Sequence, residues 1–207
     1  MPSSVTHHFA TSIYRAPLLA GSLPKFLDEL RIACRALAQL DAAGQAWSEE
    51  AGYMGYTSYD SIGDLPDRAP AFAALCEHLA PHLMAFAKAL EFDMRGHRPQ
   101  VDSIWINILE PGGSHNGHIH TNAVISGTLY VDVPEGASAI RFEDPRLDKM
   151  MAAPPRTKKA GPHNKSFQSI QPEPGTVLLW ESWLRHEVPL NRAREDRISI
   201  SFNAVLA

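Results

Sequence analysis

The spacing of apolar residues predicts two long helices in the first half of the chain. Apolar side chains recur with helical periodicity from Phe26 to Ala38 and again from Phe72 to Leu90. Ser22 followed by Pro24 is typical of a helix start, so the first helix is expected to begin there. Pro81 lies inside the second pattern and predicts a kink or a break into two helices.

After about Val101 the pattern changes to short stretches in which apolar and polar residues alternate between Pro- and Gly-containing turns, as is typical of β-strands. Two segments show neither pattern. Residues 41–68 are predicted to be irregular, and Pro145–Pro162 is a polar excursion expected to lie on the surface. The predicted strands are residues 103–109, 124–133, 139–142, 167–171, 175–180 and 197–205.

The alternation leaves one face of several predicted strands polar, as residues 125–131 and 197–203 show. If the apolar faces pack against the N-terminal helices, the polar faces line a cleft between two sheets. We therefore expect an α+β fold in a single domain, residues 1–207. Mainly helical residues 1–100 would pack on the outer face of one sheet of a double-sheet jelly roll, which residues 101–207 form.

Composition and charge narrow the class of protein. The 207 residues are 44% hydrophobic and 20% charged, which is ordinary for a soluble domain. A net charge of −4 without a basic face disfavours a nucleic-acid partner, and no apolar run is long enough to cross a membrane. The N-terminus lacks the pattern of a secretory signal. We expect a cytoplasmic protein in which Cys34 and Cys76 are free thiols.

Three histidines predict a metal site. His118 and His120 are two residues apart, so on an extended strand both imidazoles point to the same face. His186 lies where a closing strand would return to that face, and imidazole suits Fe, Zn, Cu or Ni. His115 is out of step with the pair and is not expected among the metal ligands. The alternative third donors are Asn122, Glu143, Asp144 and Glu187.

The kind of metal follows from the donor set. A structural zinc site would use four ligands, commonly with cysteine, and neither cysteine lies near these histidines in the sequence. Three ligands with open positions are typical of a catalytic ion, most economically Fe(II) binding a co-substrate and O₂, with catalytic zinc as the rival. We predict no catalytic residue beyond the metal ligands.

Arg197 is the second anchor of the predicted site. It begins the last predicted strand, and Ser199 lies on the same face two residues later. A guanidinium group grips a carboxylate through two parallel hydrogen bonds, and the Ser199 hydroxyl can donate another. This pair predicts a binding site for a carboxylate ligand.

As a set, these residues resemble the 2-oxoglutarate- and Fe(II)-dependent oxygenases, and more narrowly a bacterial and phage family of them with no settled substrate. The similarity extends over most of the chain. Its matching pieces are residues 55–59, Trp105-x-Asn107, residues 117–120, 125–130 and 142–146, Pro174-Gly175, His186, and residues 197–203.

The resemblance implies a cupin-like double-stranded β-helix with Fe(II) on its inner face and 2-oxoglutarate bound to the iron and to Arg197 and Ser199. Asn107 and Tyr130 are then expected beside the co-substrate. The wider superfamily has His-x-Asp/Glu…His, whereas this chain has His-x-His…His. Replacing the carboxylate by imidazole raises the formal charge of the Fe(II) site from +1 to +2.

The expected function is hydroxylation of an unidentified small-molecule or peptide substrate. Two alternatives stay open: a three-histidine dioxygenase that does not use 2-oxoglutarate, and a non-enzymatic jelly roll that binds a small ligand. A homodimer is compatible with the two long helices. Residues 53–59 and 145–162 are candidates for a lid over the site.

Overall fold

The computed structural model describes residues 3–207, and for Lys149 and Met150 it describes the backbone alone. Two antiparallel sheets form its centre, and two long helices cover one of them. The helices are α1 (Leu23–Leu40), α2 (Ala42–Glu50), α3 (Leu65–Arg68), α4 (Pro70–Ala89) and α5 (Leu147–Ala152). The strands are β1 (Ile13–Pro17), β2 (Gly55–Thr57), β3 (Pro99–Leu109), β4 (His115–His118), β5 (Ile125–Asp132), β6 (Ile140–Glu143), β7 (Phe167–Ile170), β8 (Thr176–Glu181), β9 (His186–Val188) and β10 (Arg197–Leu206).

The strands assemble into a large and a small sheet. The large sheet has the order β1-β8-β5-β10-β3-β2, and the small sheet has the order β4-β9-β6-β7. All strand pairs are antiparallel, and neighbours in the sheets are often distant in sequence, as in a jelly roll. This arrangement confirms the expected α+β double-stranded β-helix. The first 100 residues also contribute strands β1 and β2 and the start of β3 to the large sheet.

The main hydrophobic core lies between the large sheet and the helices. Helix α4 contacts β3 and α1 contacts β5, so the helices cover the outer face of this sheet. Full burial of one such aliphatic side chain contributes roughly 1.5–3 kcal/mol, which fixes the helices to the sheet. Fully buried residues from both layers include Leu30, Leu75, Leu79, Leu83, Ile106, Ile198, Ile200 and Phe202.

The inner face of the large sheet differs because much of it is polar. Ser126 and Thr128 of β5 and Ser199 of β10 are buried there, together with Arg197. A smaller apolar cluster fills one part of the space between the sheets; its buried members are Tyr130, Ile140, Phe142, Leu178, Trp180 and Leu184. The remaining space between the sheets is the cleft that the strand pattern predicts.

Some local predictions are wrong. Residues 41–68 are not irregular, because they contain α2, β2 and α3. Pro81 does not break its helix, since α4 continues through it. The excursion at 145–162 is mostly exposed, as expected, but includes the short helix α5. Within the described residues, no helix combines the length and apolarity needed to cross a membrane.

Candidate metal centre

The three predicted metal ligands converge on one point between the sheets. Strands β4 and β9 pair so that His118 lies opposite His186. His120 follows β4, and its backbone N–H donates to Ser182 O at 3.0 Å, which ties this loop to the end of β8. One ligand nitrogen from each histidine lies within 4.8 Å of the others. The sequence separation is therefore bridged by the pairing of two short strands.

The spacing of one pair of histidine nitrogens already suits a divalent transition metal. Metal–imidazole bonds of about 2.1 Å at tetrahedral or octahedral angles require nitrogens roughly 3.0–3.4 Å apart. The Nε2 atoms of His120 and His186 are 3.4 Å apart. Three such ligands would leave coordination positions of a bound ion open, which is typical of a catalytic rather than a structural ion.

Two backbone carbonyls fix which imidazole nitrogen is available. Nδ1 of His118 lies 2.7 Å from Asn116 O, and Nδ1 of His186 lies 2.9 Å from Leu184 O. Because a carbonyl oxygen only accepts hydrogen bonds, each Nδ1 carries the proton and donates it. Nε2 of both residues is then an unprotonated lone-pair donor directed into the cleft, as metal-binding histidines require.

Burial favours the neutral form of each of these imidazoles. It lowers the pKa of His120 to about 4 and that of His186 to about 3, and the neighbouring His118 adds to both effects. Burial also lowers the pKa of His118. Neutral imidazole is the metal-binding form, so proton competition at these nitrogens is weak near neutral pH.

His115 lies beside the three histidines of the cluster. A β-bulge between His115 and His118 adds a residue to β4, so the two side chains face the same way despite their odd spacing. The His115 ring stacks on His118 at 4.8 Å, and His115 lines the same cavity. It does not belong to the metal-ligand group of the described residues.

The alternative oxygen donors are engaged elsewhere. Glu143 forms a salt bridge with Arg185 at 3.0 Å, and Glu187 pairs with Arg141. Asp144 pairs with Arg146, Asn122 is exposed, and none of the four alternatives lines the cavity. The structure therefore supports His186 as the third member of the cluster.

Arg197 lies in the wall of the cavity opposite the histidines. Its side chain is 4% exposed, its Nε has no hydrogen-bond partner, and the described residues offer it no salt bridge. A buried guanidinium without a counter-ion is costly, so this position favours an anionic ligand. Its guanidinium carbon lies 5.0 Å from the centre of the Tyr130 ring.

The other predicted co-substrate residues form one row across three strands. Ser199 of β10 is in register with Asn107 of β3 on one side and with Tyr130 of β5 on the other. Register partners share a face, and all three line the cavity. The Tyr130 hydroxyl is buried without a partner and is free to donate to a ligand.

Asn107 differs from the others because its amide is already engaged. Its Oδ1 accepts a hydrogen bond from Thr57 at 3.0 Å, and its Nδ2 donates to Ser201 at 3.0 Å. These bonds link β2, β3 and β10 beneath the cavity and orient the Asn107 amide.

The sequence predicts Tyr53 only as part of a candidate lid, whereas the structure shows it lining the cavity. Tyr53 precedes β2 in a segment predicted to be irregular, and its ring packs edge-on against His115 with 5.5 Å between centroids. Burial raises the pKa of its hydroxyl to about 12, so it remains a hydrogen-bond donor. Trp180 of β8 also lines the cavity; its ring centroid lies 4.7 Å from that of His186, and its Nε1 is buried without a hydrogen-bond partner. Only strand pairing brings either residue to the site.

Sequence and structure comparisons identify similar proteins. The sequence model of a family described as "Putative 2OG-Fe(II) oxygenase" matches residues 103–203. This range contains every predicted ligand and co-substrate residue. No curated protein matches the chain significantly.

Solved structures of similar fold cover nearly the whole chain. One is a Pseudomonas putida prolyl-4-hydroxylase, with a TM-score of 0.59, 14% identity, and coverage of 93% of this chain and 92% of that one. Another is the epimerase SnoN from nogalamycin biosynthesis in complex with Fe3+, alpha ketoglutarate and nogalamycin RO. Its TM-score is 0.65 at 15% identity, and the match covers 94% of this chain and 79% of that one. HygX from Streptomyces hygroscopicus with nickel and 2-oxoglutarate bound has a TM-score of 0.57 at 13% identity, and the match covers 94% of this chain and 82% of that one. At these identities the likeness shows the fold.

Proposed function

Since residues 103–203 of this chain belong to the 2-oxoglutarate- and Fe(II)-dependent oxygenase family, we propose that His118, His120 and His186 hold the iron of such an enzyme. The protein is then a dioxygenase with Fe(II) as cofactor and 2-oxoglutarate as co-substrate, acting on a small molecule. The observation that carries this proposal is the presence, in one cavity, of three convergent imidazole nitrogens and a buried Arg197 that has no salt-bridge partner among the described residues.

The residues fit both groups. Two histidines present a fixed, unprotonated Nε2, as a divalent cation requires, and three ligands leave room for a co-substrate and O₂. Arg197 and Ser199 would hold the distal carboxylate of 2-oxoglutarate, with Tyr130 as a further donor. When bound, Fe(II) and 2-oxoglutarate supply the O₂-dependent oxidation of a substrate C–H bond.

The protein contributes placement and exclusion of water. Trp180 and Phe142 pack against His186 with ring centroids 4.7 and 6.0 Å away, and Trp105 packs against His120 at 5.7 Å. These rings restrict the orientation of the ligands and shield the site from bulk solvent. The hydrogen bonds of Asn107 hold the floor of the cavity in place beneath the co-substrate.

Binding measurements on the Arg197→Ala variant test the proposal. Removing one partner of a buried charge pair costs 2 kcal/mol or more, so the Kd for 2-oxoglutarate measured on Ni(II)-loaded protein should rise about thirty-fold or more. Arg95→Ala is the control, because Arg95 is exposed and pairs with Asp93 away from the cavity. Unchanged 2-oxoglutarate binding in the Arg197 variant would contradict the proposed co-substrate site.

A second candidate function is a three-histidine dioxygenase that does not use 2-oxoglutarate. It stays under test because the ligand cluster of the described residues contains no carboxylate. That enzyme would consume O₂ with a thiol or diketone alone, and Arg197→Ala would not affect the uptake. Oxygen consumption with and without 2-oxoglutarate separates the two.

A further inference from the structure

The cavity around the histidines carries an excess of positive charge. Among the described residues that line it, none is acidic, and Arg197 is permanently protonated. Two carboxylates on the small sheet, Glu143 and Glu187, are already paired with arginines outside the cavity. Neutral imidazoles leave both charges of a divalent ion uncompensated, whereas a carboxylate ligand would remove one.

The co-substrate does not cancel this excess. The following step rests on the proposed function. The ion contributes two positive charges and Arg197 one, while 2-oxoglutarate contributes two negative charges, so one positive charge remains in the loaded site. Charge interactions are stronger in such a partly enclosed site than in water, and an uncompensated charge there is unfavourable. One further anionic group would balance the site.

An apolar groove of about 410 Å³ adjoins the cavity at His120, which lines both. Ile119 and Trp183 form part of its wall and are 48% and 47% exposed, which is high for side chains of this size. Phe92 lies in the same wall. A molecule in this groove would therefore border His120, a proposed ligand of the metal.

We propose that the primary substrate is a small organic acid with an aromatic or other apolar body. Its acid group lies in the cavity near the metal centre, and its apolar body lies against Ile119 and Trp183. Glu181, the acidic residue of the groove, fixes this direction, because it repels an acid group placed among the apolar side chains. The charge of the cavity and the surface of the groove thus select opposite ends of one molecule.

Matched acids and amides test the charge requirement. Protein loaded with Ni(II) and saturated with 2-oxoglutarate is titrated calorimetrically with phenylacetate, 3-phenylpropionate and indole-3-acetate, with the corresponding amides, and with acetate. At least one aryl acid should bind about ten-fold or more tightly than its amide and than acetate. The Kd of 2-oxoglutarate is measured with and without this acid and should not rise.

Two variants separate the roles of charge and groove. His120→Asp adds a negative charge to the ligand cluster, so the preference for acid over amide should fall to less than three-fold. Trp183→Ala should reduce the preference for the aryl acid over acetate while leaving the preference for acid over amide. Leu190→Ala is the control, since Leu190 is 51% exposed and lines neither the cavity nor the groove. Nickel content is measured first for every variant.

The outcomes are distinguishable from those of the proposed function. If wild-type protein fails to bind Ni(II) or 2-oxoglutarate, both proposals fall. If both bind but no acid of the panel binds better than its amide, or if the acid displaces 2-oxoglutarate, the substrate proposal alone is overturned. The wild-type comparison decides this even if His120→Asp does not retain nickel.

Discussion

Single hydrogen bonds determine the chemistry of the candidate site at the residue scale. The carbonyls of Asn116 and Leu184 each accept from an imidazole Nδ1, and this leaves Nε2 of His118 and His186 as lone-pair donors. The same imidazoles without these partners could adopt either tautomer. The sequence predicts the residue types of the site, but not these carbonyls, because their positions depend on the β4–β9 pairing.

A second buried histidine, away from the metal centre, predicts acid sensitivity. His82 is 3% exposed, its Nδ1 lies 2.9 Å from the Tyr14 hydroxyl, and its Nε2 is buried without a partner. Burial lowers its pKa, and the nearby His78 adds to this. Protonation would place an unpaired charge between α4 and β1, so the folded state takes up this proton less readily than the unfolded state.

Replacing His82 by Gln should therefore make stability less dependent on pH. The stability linked to the lowered pKa of His82 is present above the pKa that histidine has in the unfolded chain, about 6.5. It is lost as the pH falls below that value. We expect the free energy of unfolding of metal-free wild-type protein to fall more steeply between about pH 6.5 and 5 than that of His82→Gln. Urea unfolding at several pH values measures this.

The control for that measurement is His97→Gln, at an exposed position. It should retain the wild-type slope. If His82→Gln shows the same slope as the wild type, His82 does not contribute to the acid sensitivity.

At the scale of elements, one side chain organises the segment that the sequence failed to predict. Asp41 ends α1 and caps α2, accepting from Gly44 N at 3.0 Å. It also accepts from the Tyr56 hydroxyl at 2.8 Å and from the Ser61 hydroxyl. Its carboxylate therefore holds α2 and β2 together, and Tyr53 of the cavity lies between these two elements.

Asp41→Ala should destabilise the protein and weaken co-substrate binding. Loss of the helix cap and of two partly buried hydrogen bonds should lower the free energy of unfolding by about 2 kcal/mol. The looser Tyr53 should raise the Kd for 2-oxoglutarate by less than Arg197→Ala does. Urea unfolding and calorimetry measure the two effects.

Asp60→Ala is the matched control, because Asp60 is an exposed carboxylate in the same segment. It should change neither quantity. Wild-type stability in Asp41→Ala would show that the hydrogen bonds of Asp41 do not hold this segment.

The same elements show what sequence patterns can and cannot predict. Long elements such as α1, α4, β5 and β10 carry their own periodicity, and the sequence predicts them within a few residues. β2 and β9 are three residues long and β4 is four, too short for a period to be visible. They exist because neighbouring strands satisfy their backbone groups, which is information from distant parts of the chain.

At the scale of the whole molecule, the candidate site depends on how the chain returns to it. The sequence predicts the residues 118, 120, 186 and 197 from their chemistry, and the jelly roll brings all four to one cavity. It does not predict that Tyr53, from outside the family match, would complete the wall. That contact depends on β2 adding to the edge of the large sheet beside β3.

Metal binding should therefore stabilise the fold as a whole. The ligands come from β4, from the loop tied to β8, and from β9, so an ion joins segments that separate on unfolding. An ion present at about a thousand times its Kd stabilises by roughly 4 kcal/mol, which for a chain of this length raises Tm by about 10 °C. Calorimetric scans of wild-type protein with Ni(II) and with EDTA should show this difference.

The His186→Ala variant should lose most of the Ni(II)-dependent rise in Tm, because the two remaining ligands bind the ion more weakly. The control variant His163→Ala changes an exposed histidine outside the cluster and should retain the rise. Equal Ni(II)-dependent shifts in the two variants would place the ion elsewhere in the molecule.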